Sequence, residues 1–270
     1  MSFGAKASQR LANKTILITG ASSGIGEATA KEFAAASNGQ IKLILTARRE
    51  EKLQKLSSLL CHQYPSIKIH PSKLDVSVSN TIAPFINLLP TEFADIDVLI
   101  NNAGKALGKA LVGSIKDEEI NGMFDTNVLG LIHMTQAVMP IFKKKNRGDI
   151  VNIGSIAGRE PYPGGAIYCA TKASVRYFSL ALRKETINTG IRVLEIDPGA
   201  VETEFSLVRF GGDAEKAKEV YSGTEPLTGE DIAEIIVFGV SRRANTVIAE
   251  TLVFPTHQAG ASHVYKKPSN

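Results

Sequence analysis

Cysteine is scarce in this chain of 270 residues, which carries only Cys61 and Cys169. Two thiols build no disulfide framework, and their spacing fits no metal cluster, so the sequence predicts no metal site and suits a reducing compartment. Cys169 is expected as a small buried helix residue. Paired histidines are also lacking: the five present form no HxxxH pattern, and His133, on an apolar helix, is expected in the core. No apolar run reaches the length that spans a bilayer, and the first residues lack the apolar segment of a secretory signal. The formal charge of +4 is modest and dispersed, which argues against nucleic acid as a partner. The densest basic run, residues 142–147, reads as the solvated end of a helix whose dipole it complements.

Residues 1–14 hold Lys6, Arg10 and Lys14 without an acid, a faint likeness to a transit peptide. A strand begins at once at Thr15, so the sequence predicts a short surface arm. Ser2 does not fit the myristoylation pattern, and Pro268, Ser269 and Asn270 form no peroxisomal address. The expected location is the cytoplasm, with no membrane partner.

What the chain does have is alternation. Apolar, β-branched runs recur at residues 15–18, 41–45, 67–69, 98–100, 150–153, 191–196 and 251–254. Helical periodicity fills residues 25–36, 50–60, 118–142 and 166–187 between them. Strand and helix in turn predict an α/β fold, a doubly wound parallel sheet covered by helices on both faces. One domain over residues 1–270 is expected. The irregular, glycine- and charge-rich stretch 198–228 follows the sixth strand and is expected to be a substrate lid, because ligands of open α/β sheets lie beyond the carboxyl ends of the strands.

Between the first strand and helix lies Thr19-Gly20-Ala21-Ser22-Ser23-Gly24-Ile25-Gly26. A glycine loop in that context brings backbone N–H groups and a helix N-terminus to a pyrophosphate. The spacing is GxxxGxG, not the GxGxxG of the dinucleotide fingerprint. The second strand ends in Arg48 and Arg49 with no acid at its tip. Guanidinium groups there suit a 2′-phosphate and predict NADP(H), unless the arginines merely pair with Glu50 and Glu51.

Tyr168 and Lys172 stand four residues apart, on one face of a helix. Ser155 follows the fifth strand and can share a substrate oxygen with them. A phenol of pKa near 10 needs a cation to serve as a base at neutral pH. At about 4 Å and an effective dielectric of about 20, Lys172 would supply roughly 4 kcal/mol, or about three pKa units.

These residues resemble the short-chain dehydrogenase/reductase family. The marks are Thr19 to Gly26, Asp75, Asn101-Asn102-Ala103-Gly104, Asn127, Ser155, Tyr168, Lys172, Pro198-Gly199 and Thr203. The resemblance implies seven strands in the order 3-2-1-4-5-6-7. It also implies a cofactor site in which Gly20, Ser22, Ser23, Gly24, Ile25 and Gly26 take the pyrophosphate, Asp75 and Val76 hold the adenine, and Asn102, Ala103 and Gly104 border its ribose. Pro198 and Gly199 join that site, with Val201 and Thr203 on the carboxamide and Lys172 on the nicotinamide ribose. Tyr168 is then the acid/base, and Asn127 helps to hold a water that relays protons from Lys172. Taken alone, Asn127 equally reads as a helix cap or kink and Asp75 as a helix cap.

A narrower resemblance, to the NADP-dependent 3-hydroxy acid dehydrogenases of yeasts and bacteria that oxidise serine and L-allo-threonine, rests on residues 101–108, 153–158, 201–212 and 245–258. Arg209 in the lid is the candidate for a substrate carboxylate, with Tyr162 closing the same pocket. The alternatives are a broad reductase of ketones, aldehydes and keto esters, and a cofactor-sensing protein without turnover. A homotetramer is implied by the family, built partly on the helices at 118–142 and 166–187.

Overall fold

The apolar runs become seven strands in the computed structural model, which describes residues 3–267. They are β1 (Thr15–Thr19), β2 (Lys42–Ala47), β3 (Lys68–Lys73), β4 (Val98–Asn101), β5 (Gly148–Ile153), β6 (Ile191–Pro198) and β7 (Glu250–Val253). All pair in parallel, in the order β3-β2-β1-β4-β5-β6-β7. The order reverses between β1 and β4, which opens a crevice at their carboxyl ends.

Ten helices connect and cover the strands: α1 (Phe3–Leu11), α2 (Gly24–Ala36), α3 (Glu50–Gln63), α4 (Ile82–Asn87), α5 (Asp117–Phe124), α6 (Gly130–Lys145), α7 (Ala166–Glu185), α8 (Glu204–Arg209), α9 (Ala214–Glu219) and α10 (Gly229–Val240). Alternation along the strands sorts them into two layers. Ile16, Ile18, Leu43 and Leu45 pack against Leu11, Phe33, Leu53, Ile232 and Ile236 from α1, α2, α3 and α10. Leu17, Ile44, Leu99 and Ile150 pack on the other face against Ile82, Met134, Val138, Phe142 and Leu182 from α4, α6 and α7. Each such fully buried side chain contributes about 1.5–3 kcal/mol, so both faces of the sheet are sealed by burial.

Several expectations need correction. The amino-terminal stretch, expected as a short surface arm, is a helix anchored at its end: α1 buries Leu11, and the Arg10 guanidinium donates to the Ser241 carbonyl. The helix expected over 118–142 runs unbroken from α5 into α6, with a wide π-helical segment at Asp125–Leu129 between them. His133 is exposed, because Met134, Val138 and Phe142 form the face that meets the sheet. Lys145 is not simply solvated, since its ammonium donates to the Ile96 carbonyl and to Asp97 and pairs with Asp95. The stretch 198–228 contains two short helices, α8 and α9. Cys169 is buried, as expected. Ser2 and Pro268 to Asn270 lie outside the described residues.

Candidate active site

The first wall of the site is the loop between β1 and α2. Gly26 has no room for a side chain, because a Cβ would overlap the Gly20 carbonyl and the Asn102 amide. That close approach lets Asn102 Nδ2 donate to the carbonyls of Thr19 (2.9 Å) and Gly20 (3.2 Å). Thr19 Oγ1 in turn accepts from the backbone N–H groups of Asn102 and Ala103, both at 3.0 Å. The glycine loop and the Asn101–Gly104 segment are therefore one rigid unit. Ser23, at the N-cap of α2, makes no capping bond to the helix, so the first N–H groups of α2 remain available to an anion.

Ser22 and Ser23 instead accept from Arg49, whose Nη2 reaches their hydroxyls at 3.0 and 2.7 Å. Arg49 Nη1 also pairs with Glu204 at 2.7 Å, and Lys52 meets the same carboxylate at 2.6 Å. Lys52 and Arg49 together hold the Glu204 carboxyl at about 2, below the ordinary carboxylate range. The bonds of Arg49 thus run to the glycine loop and to α8, not to Glu50 or Glu51. Arg48 is exposed at the cavity rim. Asp75 Oδ1 accepts from the backbone and hydroxyl of Ser77, a local cap, and the residue lines the cavity.

The opposite wall comes from β5, α7 and α8. Ser155 follows β5 and caps the short turn Ile156–Gly158, its Oγ accepting from Ala157 N at 3.1 Å. Lys172 is buried on α7 and donates to the Ile153 carbonyl at 2.7 Å. Its Nζ lies 5.8 Å from the centre of the Tyr168 ring. Phe205 meets that ring edge-on, with centroids 5.5 Å apart. Burial lowers the Lys172 ammonium to about 8, against the pull of Asp197 and Glu195. Burial also raises the Tyr168 phenol well above its ordinary range, while the Ser155 hydroxyl and the Arg209 charge work the other way.

In the protein alone, burial therefore works against the acidic phenol expected from the Tyr168–Lys172 pair, and the Lys172 ammonium is held on the Ile153 carbonyl. Asn127 has its side-chain amide fully engaged. It sits in the π turn, its Oδ1 accepts from Lys105 N (2.8 Å), and its Nδ2 donates to Lys105 O (2.8 Å) and Thr171 Oγ1 (3.0 Å). Both amide protons are spent on protein, so the side chain is a clamp on the Lys105 segment. Wide turns of this kind insert one residue into a helix and recur at functional sites.

Between the walls lies a cavity of about 480 Å³, a size that suits a dinucleotide and a small substrate. Of the residues singled out from the sequence, Gly20, Ser22, Ser23, Gly24, Ile25, Arg48, Arg49, Asp75, Val76, Asn102, Ala103 and Gly104 line it. So do Ser155, Tyr162, Tyr168, Lys172, Pro198, Gly199, Val201, Thr203 and Arg209. Gly26 and Asn127 stand behind the lining. Arg209 donates to the Tyr162 hydroxyl at 3.0 Å and to the carbonyls of Gly108 and Gly164, both at 3.2 Å.

The family follows from comparison with known proteins. Residues 14–209 match the short chain dehydrogenase family. The chain belongs to that family. It is 57% identical over 258 residues to an NADP-dependent 3-hydroxy acid dehydrogenase of Schizosaccharomyces pombe, covering 96% of this chain and 98% of the relative. A Salmonella typhi protein named NADP-dependent 3-hydroxy acid dehydrogenase YdfG is 44% identical over 247 residues, covering 91% and 96%. Among solved structures, the closed form of serine dehydrogenase complexed with NADP+ superposes with a TM-score of 0.85 at 40% identity, covering 94% of this chain and 99% of that one.

In this short-chain dehydrogenase the cavity also has lining that sequence reasoning missed. Lys105, pushed below the ordinary lysine range by burial and by neighbouring Arg48, lines the cavity near Arg48 and Asp75. Lys109, Phe205, Glu204 and Gln258 line the rest. Lys105 directly follows the Asn101–Gly104 segment and Glu204 follows Thr203, so adjacency to a recognised motif was the available signal. Lys109 lies in a loop and carried none, whereas Gln258 ends the stretch 245–258 that carries the narrower resemblance.

Proposed function

We propose that this short-chain dehydrogenase oxidises small 3-hydroxy acids, such as serine and L-allo-threonine, at the hydroxyl-bearing carbon and reduces the matching carbonyls in reverse. NADP(H) is its coenzyme, and when bound it supplies the carbon that accepts or gives the hydride. The observation that carries this reading is the meeting of Ser155, Tyr168 and Lys172 on one cavity wall opposite the glycine loop and Arg49. The residues fit the coenzyme: an uncapped α2 N-terminus for pyrophosphate, and Arg48 and Arg49 for a 2′-phosphate.

In oxidation Tyr168 Oη takes the proton of the substrate hydroxyl, and in reduction it returns it. Ser155 Oγ hydrogen-bonds the reacting oxygen and stabilises its developing charge. Lys172 contributes a fixed positive charge beneath both groups and holds the nicotinamide ribose. Burial alone opposes the phenolate, so Tyr168 becomes a usable base only in the coenzyme complex. Residues 198–228 act as the substrate lid.

Arg209 recognises the substrate carboxylate. Its contacts to Tyr162, Gly108 and Gly164 use three N–H groups, and one N–H on each terminal nitrogen remains for a carboxylate. The second reading, a reductase of neutral carbonyls, is favoured by the apolar wall of Ile156, Phe205 and Val208. Turnover of L-serine and of a neutral secondary alcohol by the wild type and Arg209→Gln separates the two. The account expects a loss of about tenfold or more in kcat/KM confined to the acid; equal losses would remove the carboxylate role. The homotetramer and the cytoplasmic location implied by the family belong to the same proposal, and among the described residues no helix is long and apolar enough to cross a membrane.

A further inference from the structure

Beneath the catalytic wall, β6 carries two carboxylates two residues apart, Glu195 and Asp197, on one face of the strand. Their relative exposures are 0% and 1%. Gly154 makes the space for them, since a Cβ there would overlap Asp197 Oδ1 and press on Glu195 Oε1 at 3.0 Å. Asp197 is well provided with donors: Ser155 N at 3.1 Å and Arg159 Nε at 2.7 Å. Neither oxygen of Glu195 receives a hydrogen bond. Ser179, the neighbouring hydroxyl on α7, spends its proton on the Val175 carbonyl at 2.8 Å.

The surrounding charges do not relieve Glu195. On β7, Glu250 lies in register with it and takes Arg159 at 2.9 Å and Arg176 at 3.2 Å. The remaining cation facing the pair is Lys172 on α7, which bonds the Ile153 carbonyl. Two adjacent carboxyls in such burial do not both ionise at neutral pH, and the one with donors keeps the charge.

We infer that Glu195 and Asp197 share one proton, and that this buried pair is a positioning element of the active site that holds Lys172 as an ammonium when the pH rises. Asp197 anchors the Ser155 backbone. As the solution becomes alkaline, Glu195 releases its proton to solvent, and the new carboxylate raises the proton affinity of Lys172. Burial and the Asp197 charge, in that order, push the Glu195 carboxyl far above the ordinary range. The coupling to Lys172 rests on the function proposed above, whereas the shared proton does not.

Three measurements test this. Infrared spectroscopy of the wild type at pH 7 should show a carboxylic-acid C=O band that Glu195→Gln lacks; absence of the band in the wild type overturns the shared proton. Glu195 binds its proton more tightly folded than unfolded, so its contribution to stability is fully present below the unfolded carboxyl pKa and is lost as pH rises through the folded one. The melting temperature of Glu195→Gln should therefore gain on the wild type between about pH 5 and about pH 8, and a constant gap contradicts the inference. Finally, the alkaline limb of kcat/KM for alcohol oxidation should move down by about one pH unit in Glu195→Gln, with coenzyme binding confirming the fold. Superimposed limbs overturn the coupling. The infrared and melting results need no turnover, so they stand apart from any failure of the proposed reaction.

Discussion

At the amino end of β5 and β6, Asp149 and Arg192 face each other in register and meet through two hydrogen bonds of 2.6 Å. The other N–H groups of Arg192 go to the carbonyls of Val240, Arg243 and Thr246, so all five are used. At the carboxyl end, Glu195 and Asp197 lie on one face of the same strand, and Glu195 lacks the N–H donors that Asp197 has. Both sets of charges are buried. The first is complete within the protein and fixes the ends of two central strands; the second is incomplete and borders the reactive groups. Buried charge that is fully partnered is structure, and buried charge left short of a partner is a place to hold a proton.

The largest effect separating the two ends is expected from Asp149→Ala. It leaves the Arg192 guanidinium buried without its carboxylate, and thermal or denaturant unfolding should show a loss of about 3–5 kcal/mol. The kcat/KM of the folded protein should hold, because Asp149 lies at the end of the sheet remote from the cavity. A stability loss under about 1 kcal/mol would mean that the pair is not the anchor its geometry suggests.

A smaller effect is expected at the coenzyme wall. Replacing Arg48 and Arg49 together with Gln should raise KM for NADP+ by about tenfold more than KM for NAD+, through loss of the phosphate-reading guanidiniums. Arg49 also ties the glycine loop to Glu204, so some loss with both coenzymes is expected. Equal losses would assign the arginines to loop anchoring alone.

Much of the fold was legible because burial writes itself into periodicity. Apolar runs marked every strand, and their alternation with helices implied a parallel sheet. The Tyr168–Lys172 spacing and the Thr19–Gly26 loop were legible for the same local reason, one helical face and one strand-to-helix turn. Asn127 was harder, since one residue inserted into a helix hardly disturbs a periodic pattern, and the π turn showed only in three dimensions. The hold of the Ile153 carbonyl on the Lys172 ammonium was not legible, because it is a long-range contact invisible in sequence. Glu195 and Asp197 did leave a trace: two acids in a strand that is otherwise apolar apart from Arg192. Their meaning needed Gly154, Arg159 and Ser179, which the sheet brings together from other segments.

The central claim is that Tyr168 moves the proton while the coenzyme moves the hydride. Its most direct test is Tyr168→Phe, assayed for NADP+ reduction by L-serine beside a fluorescence titration of NADPH binding. The account predicts a fall in kcat of about 10²–10⁴-fold with NADPH affinity nearly unchanged. Turnover close to the wild type in a variant that still binds NADPH would contradict it.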